Sequence, residues 1–133
     1  MEPFMKIQAS AENYLETILI LQKRNGAVRS IDIVHELEYS KPSVSVAMKH
    51  LRQDGYIEIN NTGYITLSKK GQEVAERIYE RHTLLTNALI ALGVEPGTAT
   101  EDACRIEHII STESFDAIKA HFQKQKKGDV SYD

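Results

Sequence analysis

The chain has 133 residues, of which 41% are hydrophobic, and a formal net charge of −3 at pH 7. This length suits one ordinary domain or two small ones sharing a core, and the hydrophobic content can form that core without disulfides. The single cysteine cannot form an internal disulfide. No apolar run reaches the roughly 18–20 residues that span a bilayer, and the N-terminal residues lack a signal-peptide pattern. We therefore expect a cytoplasmic protein with no membrane partner.

The charges are distributed unevenly. Residues 1–70 contain nine Lys/Arg and eight Asp/Glu, whereas residues 71–133 contain seven and eleven. This balance argues against a generally basic nucleic-acid-binding surface. Any affinity for DNA would have to come from a local cluster of cations.

Apolar residues at helical spacing predict three helices in the first 55 residues. They cover about residues 10–24, 31–38 and 41–54, with Ser10, Ser30 and Ser40 as their N-caps and Gly55 after the last. Serine at these positions can accept a hydrogen bond from a free backbone N–H of the first turn. Pro42 suits the first turn of the third helix, where its missing N–H has no intrahelical partner to lose.

The period of the apolar residues then changes from about 3.6 to 2. Residues 56–59 and 64–67 read as two strands joined by the turn 60–63, and helices are predicted at 69–92, 97–110 and 112–124. The fold class is therefore mainly α: a winged helix-turn-helix of three helices and a two-stranded wing, followed by a three-helix dimerisation unit. The predicted domains are residues 1–70 for DNA binding, 71–124 for metal binding and dimerisation, and 125–133 as a flexible tail.

The third helix has the features of a DNA-reading helix. Its polar positions, with the uncharged wing tip, supply the candidate DNA contacts: Lys41, Ser43, Ser45, Lys49, His50, Arg52, Asn61 and Thr62. Such a helix inserts its N-terminal end into the major groove, where hydroxyl and ammonium groups meet base edges or phosphates. The alternative is that these residues form an ordinary solvated helix face, as in a winged helix that docks proteins.

A second constellation has the chemistry of a metal site. Cys104, Glu107 and His108 stand at positions i, i+3 and i+4, which share one face of a helix. Thiolate, carboxylate and imidazole ligands suit Fe, Co, Ni or Zn, with Mn tolerated. His82 could add another ligand from the long helix. Alternatively, the cysteine is a small core residue and Glu107 is part of a surface ion pair.

Several motifs together resemble the diphtheria toxin repressor family of metal-dependent regulators, especially its short manganese-transport-regulator branch. They are ENYLETI at 12–18, KPSVS at 41–45, LSKKG at 67–71, RH at 81–82 followed by LL at 84–85 and LGV at 92–94, and DACRIEH at 102–108. The resemblance covers about residues 10–122. It implies a metal-activated transcriptional repressor that is not an enzyme and that binds no small organic ligand.

The resemblance also implies a set of metal ligands: Asn13, Glu16, His82, Cys104, Glu107 and His108. Asn13 replaces the Met or Asp that is usual in the family, and Thr86 and Thr100 replace the ancillary Glu and His of the iron-responsive branch. Cys104 favours Fe(II), whereas Glu16 and Asn13 favour Mn(II). We expect one of these two metals in the cell, with Zn(II), Co(II) or Ni(II) able to substitute in vitro.

The expected partners are a second copy of the chain and a palindromic operator. Homodimerisation is predicted because the last three helices have more apolar positions than a unit this small can bury: Leu89, Leu92, Ile106, Ile109, Ile110, Phe115 and Ile118. A metal-dependent hydrolase with Glu107 as its base is the least favoured rival function, because the sequence offers no second carboxylate cluster, and two other rivals remain open at this point. One is a redox repressor that senses oxidants through Cys104, and the other is a winged-helix protein-docking module.

Overall fold

The computed structural model describes residues 9–132, and the side chains of residues 9–124. Nine elements follow one another in this part of the chain: α1 (Ala9–Asn25), β1 (Val28–Arg29), α2 (Ser30–Leu37), α3 (Lys41–Gln53), β2 (Ile57–Ile59), β3 (Tyr64–Leu67), α4 (Lys69–Ala91), α5 (Pro96–Ile106) and α6 (Thr112–Tyr132). The mainly helical fold with a winged helix-turn-helix is confirmed. Among the described residues, no helix combines the length and hydrophobicity needed to cross a bilayer.

The chain divides into two compact units, Met1–Tyr79 and Glu80–Asp133, called here the first and second unit. The first unit extends past the predicted domain boundary at residue 70, because Val74 and Ala75 of α4 belong to its core. That core also contains Leu15 and Ile18 of α1. The helices of the first unit therefore pack together through their apolar faces.

The sheet of the first unit has three antiparallel strands in the order β1–β3–β2, rather than the two predicted. The wing, formed by β2, β3 and the turn 60–63, pairs Ile57 with Leu67, and β1 adds Val28 opposite Ile65. A strand of two residues is too short to show alternation, so the sequence pattern could not reveal β1.

Two of the predicted N-caps differ from the structure. Ser10 lies within α1, and α2 begins at Ser30 with Arg29 as its N-cap. The Asp32 carboxylate accepts a hydrogen bond of 2.8 Å from the Arg29 backbone N–H. The cap of α3 is as predicted, since Ser40 Oγ accepts a 3.2 Å hydrogen bond from the Ser43 N–H.

The wing is joined to α4 by a close backbone approach. A Cβ atom at Gly71 would overlap the carbonyl oxygen of Tyr56. Ser68 Oγ accepts a hydrogen bond from the Gly71 N–H at 3.1 Å and donates one to the Gly55 carbonyl at 2.6 Å. Glycine is therefore required at the start of α4 because no side chain fits there.

The last two helices differ in length from the predictions. Helix α5 ends at Ile106 rather than at 110, and α6 continues to Tyr132 rather than ending at 124. Residues 112–132 contain no proline and one glycine, and lysine and glutamine are good helix formers. The sequence predicts a flexible tail at residues 125–133. The side chains of these residues, and the backbone of Asp133, lie outside the described part of the chain.

Candidate metal centre and nucleic-acid interface

The second unit contains a buried arginine that holds the turn between α5 and α6. Arg81 Nη1 donates to the carbonyl oxygens of Glu107 at 3.2 Å and Ile110 at 2.8 Å, and Nη2 donates to Thr112 Oγ1 at 3.3 Å. Its guanidinium also lies over the Phe115 ring, 5.4 Å from the centroid. These donors satisfy carbonyl groups that a longer helix would have bonded internally, which explains why α5 can end at Ile106.

The same turn places a carboxylate between two imidazoles. Glu107 is the C-cap of α5 and is 0% exposed. Its Oε1 lies 2.9 Å from His82 Nδ1 of α4, and its Oε2 lies 3.4 Å from His108 Nε2. The structure therefore brings together three of the six predicted metal ligands, all within the second unit.

The donor set of this cluster fits a divalent transition metal. A buried carboxylate is costly unless it is paired, hydrogen-bonded or bound to a metal. Glu107 Oε2 has no hydrogen-bond partner among the described residues. Imidazole nitrogen and carboxylate oxygen are ligands common to Mn, Fe, Co, Ni and Zn sites. His82, Glu107 and His108 could thus hold such an ion.

Cys104 occupies a different environment from Glu107. It lies on the last turn of α5 and is exposed, whereas Glu107, three residues later, is fully buried. The alternative that Cys104 is a small core residue is therefore excluded by its exposure, and the alternative that Glu107 belongs to a surface pair is excluded by its burial. Whether the thiol is a metal ligand stays a prediction.

The remaining predicted ligands lie on α1 of the first unit. Glu16 is buried and Asn13 is half-buried, with the Asn13 carbonyl accepting a 2.8 Å hydrogen bond from Thr17 Oγ1. One turn earlier, the buried Glu12 forms an ion pair with Arg77 at 3.3 Å. Glu16 thus offers a buried carboxylate of the kind that metal sites use.

The predicted DNA contacts are all exposed. On α3, the exposed set is Lys41, Ser43, Ser45, Lys49, His50 and Arg52, and on the wing tip it is Asn61 and Thr62. Val44, Met48 and Leu51 bury the opposite side of α3. The helix thus presents a polar, partly cationic surface that contains no acidic residue within α3.

The wing also has a cation that the sequence analysis missed. Arg29 of β1 lies beside Tyr64, with its guanidinium 4.6 Å from the ring centroid, and Nη2 donates to the Thr62 carbonyl oxygen. Asn60 Oδ1 orders the tip by accepting hydrogen bonds from the N–H groups of Thr62 and Tyr64, at 3.0 and 2.9 Å. No sequence signal showed this arginine, because its position depends on the pairing of β1 with β3.

The comparisons with known proteins match both halves of the chain. Residues 6–64 match the family described as iron dependent repressor, N-terminal DNA binding domain, and residues 68–128 match the metal binding and dimerisation domain of the same repressors. The transcriptional regulator MntR of Escherichia coli O6:H1 is 34% identical over 113 residues, which are 85% of this chain and 73% of that protein.

The chain belongs to the iron-dependent repressor family. It is therefore a metal-dependent, DNA-binding transcriptional repressor, and not an enzyme. An HTH-type regulator MntR of Listeria monocytogenes serotype 4a is 35% identical over 109 residues, covering 82% of this chain and 77% of that one. The manganese regulator SloR has a similar structure, with a TM-score of 0.76 and 25% identity over 85% of this chain and 53% of that chain. The chain thus spans about half the length of that solved regulator.

Proposed function

We propose that this repressor is activated by Fe(II) or Mn(II) and controls metal-ion homeostasis from the cytoplasm. The observation that carries the proposal is the fully buried Glu107 carboxylate with His82 and His108 beside it. Related proteins support one of these two metals, since the matched family is that of iron-dependent repressors and a similar solved structure is a manganese-dependent transcriptional repressor in complex with manganese. By affinity alone, Zn(II), Co(II) and Ni(II) would also bind, so the metal available in the cell decides which one acts.

The proposed ligand set combines this cluster with Asn13, Glu16 and Cys104. A bound divalent cation supplies the positive charge that a buried carboxylate otherwise lacks. Affinity should rise with pH, because a coordinating thiol must lose its proton and the imidazoles must be neutral. Arg81 acts as a positioning residue, since its hydrogen bonds to Glu107 and Ile110 carbonyls set the backbone from which the Glu107 side chain projects.

The proposed DNA-binding mode is that of a dimer on a palindromic operator. The N-terminal end of α3 enters the major groove, with Lys41, Ser43 and Ser45 near base edges and phosphates. The wing contacts the backbone through Asn61, Thr62 and the Arg29 guanidinium. Two half-sites about one helical turn apart, ~34 Å, match a two-fold dimer. Exposed Leu92 and Ile109, at 73% and 82%, support a dimer that buries them.

Because the proposed ligands belong to both predicted domains, metal binding couples to operator affinity. Without metal, the two recognition helices sample spacings that do not fit the operator. The affinity for the operator is then reduced in proportion to the fraction of molecules with the fitting spacing. A coupling of about 1–3 kcal/mol is typical of such allostery. This corresponds to roughly 5–150-fold in operator affinity.

The test is fluorescence anisotropy with genomic duplex fragments, measured anaerobically with Fe(II), Mn(II), Zn(II) or a chelator. We expect metal to tighten binding about tenfold or more, and a Cys104→Ala, His108→Ala double variant to lose this response. His121→Ala removes an exposed histidine of α6 and should respond like the wild type. Equal binding with chelator, and release by peroxide, would instead support the redox repressor. Absence of binding to every fragment would support the docking module.

A further inference from the structure

Helix α3 has one large aliphatic side chain on its exposed side. Val46 is 54% exposed, whereas Val44 and Met48 of the same helix are buried. Valine is branched at Cβ, which makes it a poorer helix former than alanine or lysine at an exposed position. Neither packing within the core nor helix propensity therefore explains a valine at this place.

The neighbours of Val46 define the surface to which it belongs. Residues three and four positions away share its helix face, and these are Pro42, Ser43, Lys49 and His50, all exposed. Hydroxyl and ammonium groups on this face can contact phosphates and polar base atoms. Val46 offers only apolar surface, so its contact on DNA has to be an apolar group.

We propose that Val46 contacts the C5-methyl group of a thymine in the major groove, and so specifies a T·A pair at one position of each half-site. Thymine is the standard base that presents a methyl group there, so an apolar side chain can distinguish it from cytosine without a hydrogen bond. The proposal rests on the proposed function, because it requires α3 to be the helix that enters the groove.

The experiment removes the methyl group from the DNA and the valine from the protein. Duplexes are first selected from a random-sequence library by the full chain loaded with Mn(II) and, in a parallel anaerobic selection, with Fe(II). Each thymine of a selected duplex is then replaced in turn by deoxyuridine, which lacks only the methyl group. We expect the wild type to lose about 4-fold in affinity per substituted half-site at one symmetric position. Val46→Ala should show no loss at that position while keeping metal-dependent binding.

Two control variants make the result specific. Val46→Thr retains a methyl group on Cβ and should keep part of the discrimination. Ile31→Ala removes an exposed aliphatic side chain from α2 and should keep all of it. Equal sensitivity of the wild type and Val46→Ala to deoxyuridine at every thymine would overturn the proposal, although metal-dependent binding would still support the repressor function. If no duplex is selected with any metal, both proposals fail.

Discussion

The two compact units bury apolar and charged side chains in different proportions. The core of the first unit consists mainly of large aliphatic and aromatic residues, among them Leu15, Ile18 and Ile65, although Glu12 and Glu16 of α1 are also buried. Among the residues of the second unit whose side chains are described (80–124), the buried hydrophobic ones are Leu85, Ala88, Ala99, Ala103 and Phe115, and the charged Arg81 and Glu107 are buried with them. Fully burying a leucine or isoleucine stabilises a fold by roughly 1.5–3 kcal/mol, and an alanine contributes much less.

This difference shows where each unit obtains its stability. Apolar burial in the first unit depends little on metal or on the ionisation of side chains. The stability of the second unit depends more on how its buried charges, Arg81 and Glu107, are compensated. This unit also leaves the side chains of Leu92 and Ile109 exposed. We therefore expect the second unit to gain more than the first from a bound metal and from a second copy of the chain. Three measurements test this difference between the units.

The largest effect is expected in the apolar core of the first unit. Ile18→Ala removes a fully buried side chain of α1 and should lower the free energy of unfolding by about 2–5 kcal/mol, with or without metal. Urea denaturation followed by circular dichroism measures this change. Ile31→Ala, at an exposed position of α2, should change it by less than about 0.5 kcal/mol. A cost for Ile18→Ala that vanishes on adding Mn(II) would contradict the comparison.

An intermediate effect is expected at the buried carboxylate of the second unit. Glu107→Gln keeps the shape of the side chain but removes the charge that a metal would neutralise. The wild type should gain about 2.7 kcal/mol of stability when free Mn(II) is roughly 100 times its dissociation constant, and the variant should lose most of this gain. Thermal unfolding over a Mn(II) titration measures it.

The control for this measurement is Glu113→Gln, which alters an exposed glutamate of α6. It should gain as much from Mn(II) as the wild type. If Glu107→Gln gained equally, Glu107 would not be a ligand of the metal.

The smallest effect is expected at the N-cap of α5, also in the second unit. Backbone N–H groups of Gly97 and Thr98 donate to the Glu95 carboxylate and lower its pKa below the ordinary 4.5. The folded-state pKa is thus below the unfolded one, so this stabilisation is present above pH 4.5 and is lost as pH falls through the lowered pKa. Glu95→Gln should therefore be less stable than the wild type at neutral pH.

Urea denaturation at neutral pH and at about pH 3 tests this expectation. The difference between Glu95→Gln and the wild type should shrink in acid. Glu101→Gln, at an exposed position of the same helix, serves as the matched control. A difference that stays constant across this range would mean that the carboxylate charge does not stabilise the cap.

Local sequence determined much of the first unit. The Ser40 cap, Pro42 in the first turn and Gly55 after α3 are short-range features, so the recognition helix could be predicted closely. The hairpin was predicted equally well, since apolar alternation and Gly63 in the turn define its register. The helical spacing pointed to Cys104, Glu107 and His108, whereas His82 joined the ligand set through the family resemblance, and it is His82 rather than the exposed Cys104 that lies beside Glu107 and His108 in the second unit.

Features that depend on contacts between residues far apart in the sequence could be seen only in the tertiary structure. Arg29 belongs to the wing only because β1 pairs with β3, and α5 ends at Ile106 where Arg81 supplies donors to the turn. Phe115, predicted to face a second copy, is buried under that same arginine within one chain. The sequence also could not show that Glu107 is completely buried, because local patterns identify ligand types whereas burial depends on what the rest of the chain packs around them.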